Sequence, residues 1–155
     1  RLFRSSAVSR RVPEGAGRLI DEALISKKLA FMETCVRELR ELACLERLES
    51  DIREQRFVQH TLQLALQAAL DVSSHIASAR RLGEPETNRE LFDLLVRDEL
   101  IGPSLAPALQ AMAGLRNILV HGYQQVDNAI VRDVVENHLE DLLQFVSELK
   151  VSLIK

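Results

Sequence analysis

The segment RNILVHGY, residues 116–123, brings an arginine, a histidine and the only tyrosine of the 155-residue chain close together. Arg116 offers a planar, permanently charged guanidinium that suits a phosphate group. His121 precedes Gly122, a plausible helix C-cap, and the partial negative charge of a helix C-terminus favours a protonated imidazole. A proton-transferring histidine and a phosphate-binding arginine are what RNA cleavage through the 2′-hydroxyl requires, and that reaction needs no metal ion.

If this segment is helical, the positions of its polar groups follow from 3.6 residues per turn. Asn117 and His121 are four residues apart and share a face, whereas Arg116 is about 140° around the axis from His121. Tyr123 follows Arg116 by seven residues and therefore lies almost directly above it. Ile118 and Leu119 are expected to face the core. The segment thus predicts a polar helix end that carries all three reactive groups.

A single copy of this helix end lacks one group, because the cleavage reaction uses both a general base and a general acid. A two-fold homodimer with the helix end at its axis would supply two copies each of His121 and Arg116. Long apolar helices elsewhere in the chain could provide the surface for such an interface. The reaction chemistry therefore suggests a homodimer.

The composition favours a single all-α domain. Hydrophobic residues make up 46% and charged residues 28% of the chain, as in globular proteins and unlike disordered ones. Six glycines and four prolines are too few for a turn-rich all-β chain. A net charge of −3 and 4% aromatic residues provide neither a basic face nor a stacking platform for a long nucleic acid. Any contact with RNA must therefore be small and local.

Apolar residues recur every three or four positions along most of the chain, which is the spacing of amphipathic helices. The pattern predicts helices over 19 to about 48, about 52 to 81, 89 to 100, 103 to 121, and from Asp127 or Asn128 to the end. Alanines on the apolar face of the second helix make that face thin, so that another helix can approach closely. We therefore predict an antiparallel bundle of four to five helices, with no strand.

Residues 1–18 differ in composition from the rest. They carry five arginines against one glutamate, a bias also found in transit peptides. We interpret them as upstream, vector-derived or flexible sequence that lies outside the helical-bundle domain of residues 19–155.

The two cysteines indicate a reducing compartment. Cys35 and Cys44 are nine residues apart in one predicted helix and point to roughly opposite sides, so they cannot form a disulfide within it. Unpaired thiols are typical of a cytoplasmic protein. No run approaches the ~18 apolar residues that a membrane span needs.

Beyond the motif, the chain resembles a known family over roughly residues 20 to 150. The pattern R-x-x-x-x-H-x-Y near the end of the penultimate helix is similar to that of the HepT-type toxins of the HEPN superfamily. The segment FVQHTLQLALQAALDVSSHI resembles their second helix, GEPETNRELFDLL their central loop and third helix, and GLRNILVHGYQQVD their signature segment. Those proteins are small all-helical ribonucleases that pair with MntA-type nucleotidyltransferase antitoxins.

The resemblance implies a role for each motif residue. Arg116 and His121 would be the catalytic pair of a metal-independent endoribonuclease that leaves a 2′,3′-cyclic phosphate on tRNA or mRNA. Asn117 would be the supporting polar neighbour, and Tyr123 the tyrosine that the antitoxin adenylylates. The family also implies a homodimer whose two motifs face one cleft. The chain would then be the toxin of a type II toxin–antitoxin pair, with no cofactor.

Polar residues outside the motif have less specific interpretations. Asp71 and His75 are four residues apart on the second helix, and they either support the active site or form an ordinary surface pair. The spacing of His138 suggests a core or interface histidine. No H-E-x-x-H motif or paired-cysteine spacing indicates a metal site.

Two other functions remain compatible with the sequence. The chain could be a non-catalytic HEPN module that binds a nucleotide or the antitoxin, which the acidic net charge and low aromatic content favour. It could also be a purely structural dimer, although this leaves the clustering of Arg116, His121 and Tyr123 without an explanation.

Overall fold

The computed structural model describes residues 20–122 and 126–154, and within them every regular element is helical. A short 3-10 helix spans Leu45–Arg47. The six α-helices are α1 (Glu22–Leu42), α2 (Ile52–Ala79), α3 (Asn88–Arg97), α4 (Ala106–His121), α5 (Asn128–Asn137) and α6 (Leu139–Leu153). None of these helices is long and apolar enough to cross a membrane. The all-α prediction is confirmed, and residues 1–18 and Tyr123 lie outside the described part.

Contacts at the two ends of α1 show that it runs antiparallel to α2. Near the start of α1, the backbone N–H of Asp21 donates to His75 Nε2 at the end of α2 (3.2 Å). Near the end of α1, the N–H of Cys44 donates to Glu54 Oε2 at the start of α2 (2.9 Å). The residue number of the contact on α2 therefore falls from 75 to 54 as that on the α1 side rises from 21 to 44. The predicted antiparallel bundle is confirmed.

The α2 helix is the centre of the bundle, because it contacts α1, α3, α4 and α5. Its buried face includes Ala65, Ala68 and Ala69, whose small side chains allow neighbouring helices to approach closely. Larger side chains fill the space around it, among them the edge-to-face pair Phe92 and Phe145, whose ring centres are 6.0 Å apart. The thin face that the sequence predicted is thus the face on which the other helices pack.

The prediction of one last helix is wrong, and the total of four to five helices is therefore too low. The chain leaves helical geometry at His138 (φ −124°, ψ 2°), which separates α5 from α6. Neither Pro nor Gly marks this break. It arises from packing, because α5 contacts α2 whereas α6 runs along α1. The imidazole of His138 lies near Asp133 (3.3 Å) and Asp141 (3.2 Å) at the surface, so His138 is not a core residue.

The first predicted helix also ends early, at Leu42 rather than near residue 48. Cys44 therefore lies beyond α1, and the expectation that both thiols share one helix is wrong. Both cysteines are nevertheless free, as predicted. The second helix begins close to its predicted start, and it is capped by Asp51, whose Oδ1 accepts from the backbone N–H of Arg53 (2.8 Å).

The two thiols should differ sharply in reactivity. Burial, and to a smaller extent the nearby carboxylate of Glu38, raises the pKa of the Cys35 thiol to about 11. At pH 8 only about one Cys35 thiol in a thousand is then a thiolate, and that thiol is also shielded from reagents. Cys44 is only partly buried. We expect iodoacetamide to label Cys44 in the folded protein and Cys35 only after denaturation, as measured by peptide mass mapping. Equal labelling rates in the folded protein would contradict the packing of α1.

Candidate functional site

The α4 helix positions the motif, and its buried stripe fixes which way the helix faces. Apolar side chains at Leu109, Met112 and Leu115 pack into the core, as their spacing predicted. Gly122 ends the helix, and its N–H donates to the carbonyl of Ile118 at 2.6 Å. A Cβ atom at Gly122 would lie 2.5 Å from that carbonyl oxygen, so a larger residue would open the last turn.

Arg116 is half-buried and is held on two sides. Its Nε–H donates to Oε1 of Gln67 on α2 (2.7 Å), and its NH1 group donates to Oδ1 of the adjacent Asn117 (3.1 Å). A guanidinium has five N–H donors, so three have no acceptor within the described residues. The side chain is thus fixed at its base, while the outer edge of the guanidinium can bind an anion such as phosphate.

His121 occupies the last turn of α4 and is exposed. Together with Asn117, Ile118 and Gly122 it lines an open cavity of about 480 Å³. Among residues 20–122 and 126–154 its imidazole has no hydrogen-bond partner. It is therefore accessible to a substrate. Asn117 links the two halves of the motif, because it lines this cavity and also accepts from Arg116.

The prediction that Ile118 faces the core is wrong, since 44% of its surface is exposed. The buried stripe of α4 passes through Leu115 and places Ile118 on the side that carries His121. A large apolar side chain therefore stands beside the polar groups of the motif.

Asp71, predicted as a weak supporting residue, is linked to Arg116 through the side chain of Gln67. Its Oδ1 accepts from Nε2 of Gln67 (2.8 Å), and its Oδ2 accepts from Nζ of Lys28 (3.0 Å). His75 instead accepts from the backbone of Asp21, so no described contact joins Asp71 to His75.

Sequence reasoning missed Gln67. A glutamine in a helix seldom attracts attention, and only its position four residues before Asp71 could have indicated a bonded pair. Its contact with Arg116 spans 49 positions and is a property of the tertiary structure.

The described residues contain no group of three or more His, Cys, Asp or Glu side chains that could hold a metal ion.

Sequence comparison relates the chain to RNA-cleaving proteins. The profile of the family described as "Ribonuclease HepT-like" matches residues 32–149. A protein from Shewanella oneidensis named "mRNA nuclease HepT" is 35% identical over 128 residues, which cover 82% of this chain and 96% of that protein. A protein from Aphanizomenon flos-aquae named "tRNA nuclease HepT" is 33% identical over 110 residues, covering 70% and 75% of the two chains.

Comparison of structures agrees with the sequence relationship. A solved structure described as a tri-AMPylated HEPN toxin of Shewanella oneidensis in complex with an MNT antitoxin superimposes with a TM-score of 0.76. It is 35% identical, and the match covers 83% of this chain and 97% of the toxin. The similarity therefore extends over nearly the whole described bundle.

Proposed function

The chain belongs to the HepT-like ribonuclease family, and from this premise we propose that it is a toxin that cleaves RNA at the end of α4. One observation supports this most directly. Arg116 is held by Gln67 and Asn117 while three of its N–H groups have no acceptor within the described residues, and an accessible His121 follows it on the same helix end. An oriented cation and a proton-transfer group are the two requirements of phosphoryl transfer from RNA.

In the proposed reaction, the ribose 2′-oxygen attacks the adjacent phosphorus, and the bond from phosphorus to the 5′-oxygen breaks. The 2′-hydroxyl loses a proton and the departing 5′-oxygen gains one, so the products are a 2′,3′-cyclic phosphate and a free 5′-hydroxyl. His121 serves as the base or the acid. Arg116 stabilises the negative charge that builds up on the pentacovalent phosphate. None of these steps requires a metal ion.

We further propose a homodimer, because each chain supplies only one His121 whereas the reaction uses a base and an acid. A two-fold interface around the end of α4 would place both copies of the motif in one cleft. The exposed Ile118 beside the cavity supports this location, since burying it against a second copy removes apolar surface from water.

An MntA-type nucleotidyltransferase antitoxin is the proposed partner that silences the toxin. The structure of the Shewanella complex is described as containing both an MNT antitoxin and a tri-AMPylated toxin. In this chain, Tyr123 matches the motif's tyrosine and follows the cavity residues His121 and Gly122 in sequence. Its phenolic oxygen would attack the α-phosphate of ATP and release pyrophosphate. The bulky, charged AMP group would then block access to the cleft.

The proposed substrate is tRNA or mRNA, the two classes named for the relatives. With a net charge of −3, the protein would contact RNA locally around Arg116 rather than along an extended basic surface. An RNA substrate and two free cysteines are both consistent with a cytoplasmic location, which we also propose.

Replacing the two motif residues should abolish cleavage. We expect His121→Ala and Arg116→Ala each to lower the rate at least ~100-fold, through loss of proton transfer and of charge stabilisation respectively. The measurement uses total tRNA and an mRNA transcript in EDTA, with analysis of the cut ends. His60→Ala is the control, because His60 is an exposed histidine on α2.

Each outcome of this assay has a clear meaning. Cleavage by His121→Ala at the parental rate would contradict the assignment. If the folded and unmodified parent cuts neither RNA, the proposed nuclease activity fails and a non-catalytic module that binds a nucleotide or the antitoxin replaces it.

A charge at the proposed interface should separate the dimer. We expect Ile118→Glu to give a monomer in light scattering and to lose RNA cleavage, because burying an unpaired carboxylate is costly. Ile130→Glu is a matched control, since Ile130 is equally exposed (47%, against 44% for Ile118) but lies on α5. A dimeric Ile118→Glu variant would place the interface elsewhere.

Adenylylation should occur at Tyr123. With the antitoxin and ATP, we expect the intact mass to rise by one or more AMP groups and RNA cleavage to fall. The Tyr123→Phe variant should remain unmodified and stay active in the presence of antitoxin and ATP. Peptide assignment is simple because the chain has a single tyrosine. AMP on any residue other than Tyr123 would overturn this part of the proposal.

A further inference from the structure

We infer that Gln67 is a positioning residue that orients Arg116 without neutralising its charge, an inference that rests on the proposed function for its catalytic consequence. Gln67 belongs to a chain of hydrogen bonds, here called the Arg116 network, which consists of Lys28, Asp71, Gln67 and Arg116. The network crosses three helices, α1, α2 and α4. It ends at the guanidinium, three of whose five N–H groups have no acceptor among the described residues.

The hydrogen bonds of the network determine which way the Gln67 amide faces. The NH₂ group of Gln67 donates to Asp71 (2.8 Å), and an ionised carboxylate can only accept. The carbonyl oxygen of the amide must therefore point the other way, where it accepts from Nε of Arg116 (2.7 Å). The amide cannot flip without placing its NH₂ group against the arginine, where donor would face donor. Asp71 thus fixes Gln67, and Gln67 fixes Arg116.

Lys28 completes the network by fixing Asp71. Its Nζ is 3.0 Å from Oδ2 of Asp71, and both side chains are partly exposed (37% and 39%). The positive charge of Lys28 balances the negative charge of Asp71, which is separated from Arg116 only by the side chain of Gln67. Lys28 and Asp71 together contribute no net charge, so the positive charge of Arg116 remains available to a phosphate.

The choice of a neutral amide has a physical advantage over a carboxylate. A glutamate at position 67 could also accept the Nε–H of Arg116, and it would form a stronger, charge-assisted bond. It would, however, cancel much of the positive charge that stabilises the transition state, and it would place a second carboxylate beside Asp71. A glutamine provides the same acceptor oxygen without these costs. The network therefore orients the guanidinium of Arg116 and leaves its positive charge intact.

Two substitutions at Gln67 separate orientation from charge. Gln67→Ala removes the acceptor, and Gln67→Glu keeps an acceptor but adds a negative charge. We expect each to lower kcat for RNA cleavage by ~10- to 100-fold, the range found when a reacting group is misplaced or an orienting neighbour is lost. KM should change less than kcat, and the midpoint of thermal unfolding should stay close to the parent's.

Gln144→Ala is the matched control. Gln144 on α6 also donates to a carboxylate four residues later, Glu148, at 2.8 Å, but it has no contact with Arg116. We expect this variant to cleave at the parental rate. If Gln144→Ala and Gln67→Ala lowered kcat equally, or if Gln67→Ala kept kcat within twofold of the parent, a positioning role would be excluded.

A second measurement tests the orientation without relying on activity. The Nε–H of Arg116 can be followed by ¹⁵N NMR, with its signal assigned from its loss in Arg116→Lys. We expect slow exchange with water in the parent, in Gln67→Glu and in Gln144→Ala, and fast exchange in Gln67→Ala. Slow exchange in Gln67→Ala would overturn the inference. A parent that shows this pattern but does not cleave RNA would contradict the proposed function alone.

Discussion

Close packing around α2 is the constraint on which the rest of the structure depends. This 28-residue helix contacts four of the other five helices, and alanines on its buried face allow them to approach. Because the helices lie close together, a polar side chain at the edge of the packed face can reach a neighbouring helix directly. The hydrogen bond from Arg116 to Gln67 is one result of this proximity.

The site lies at the edge of the packed helices, which explains why one of its side chains is held in place while another is accessible to solvent. Arg116 is half-buried against α2, where it gains a fixed partner, while His121 lies in the last turn of α4 and remains exposed. The same helix therefore holds one group firmly and presents the other to solvent. A catalytic group on a packed helix is positioned more precisely than one on a loop, because its neighbours restrict its rotamers.

The proposed reaction uses both a base and an acid, whereas one helix end carries a single histidine, His121. Ile118 presents apolar surface next to the cavity that His121 lines. In the proposed homodimer, a second copy would bury this side chain and remove its apolar surface from water. Catalytic competence and assembly would then depend on the same turn of α4, and modification of Tyr123 could affect both.

The sequence by itself determined the all-α class, the core stripe of α4 and the identity of the motif residues. Hydrophobic periodicity is a local property, and the residue types at positions 116 and 121 alone supply a permanently charged guanidinium and a proton-transferring imidazole. The tertiary structure alone decided the break at His138, the exposure of Ile118 and the contact between Gln67 and Arg116. Each of these depends on which helices become neighbours, and no spacing within one helix encodes that choice.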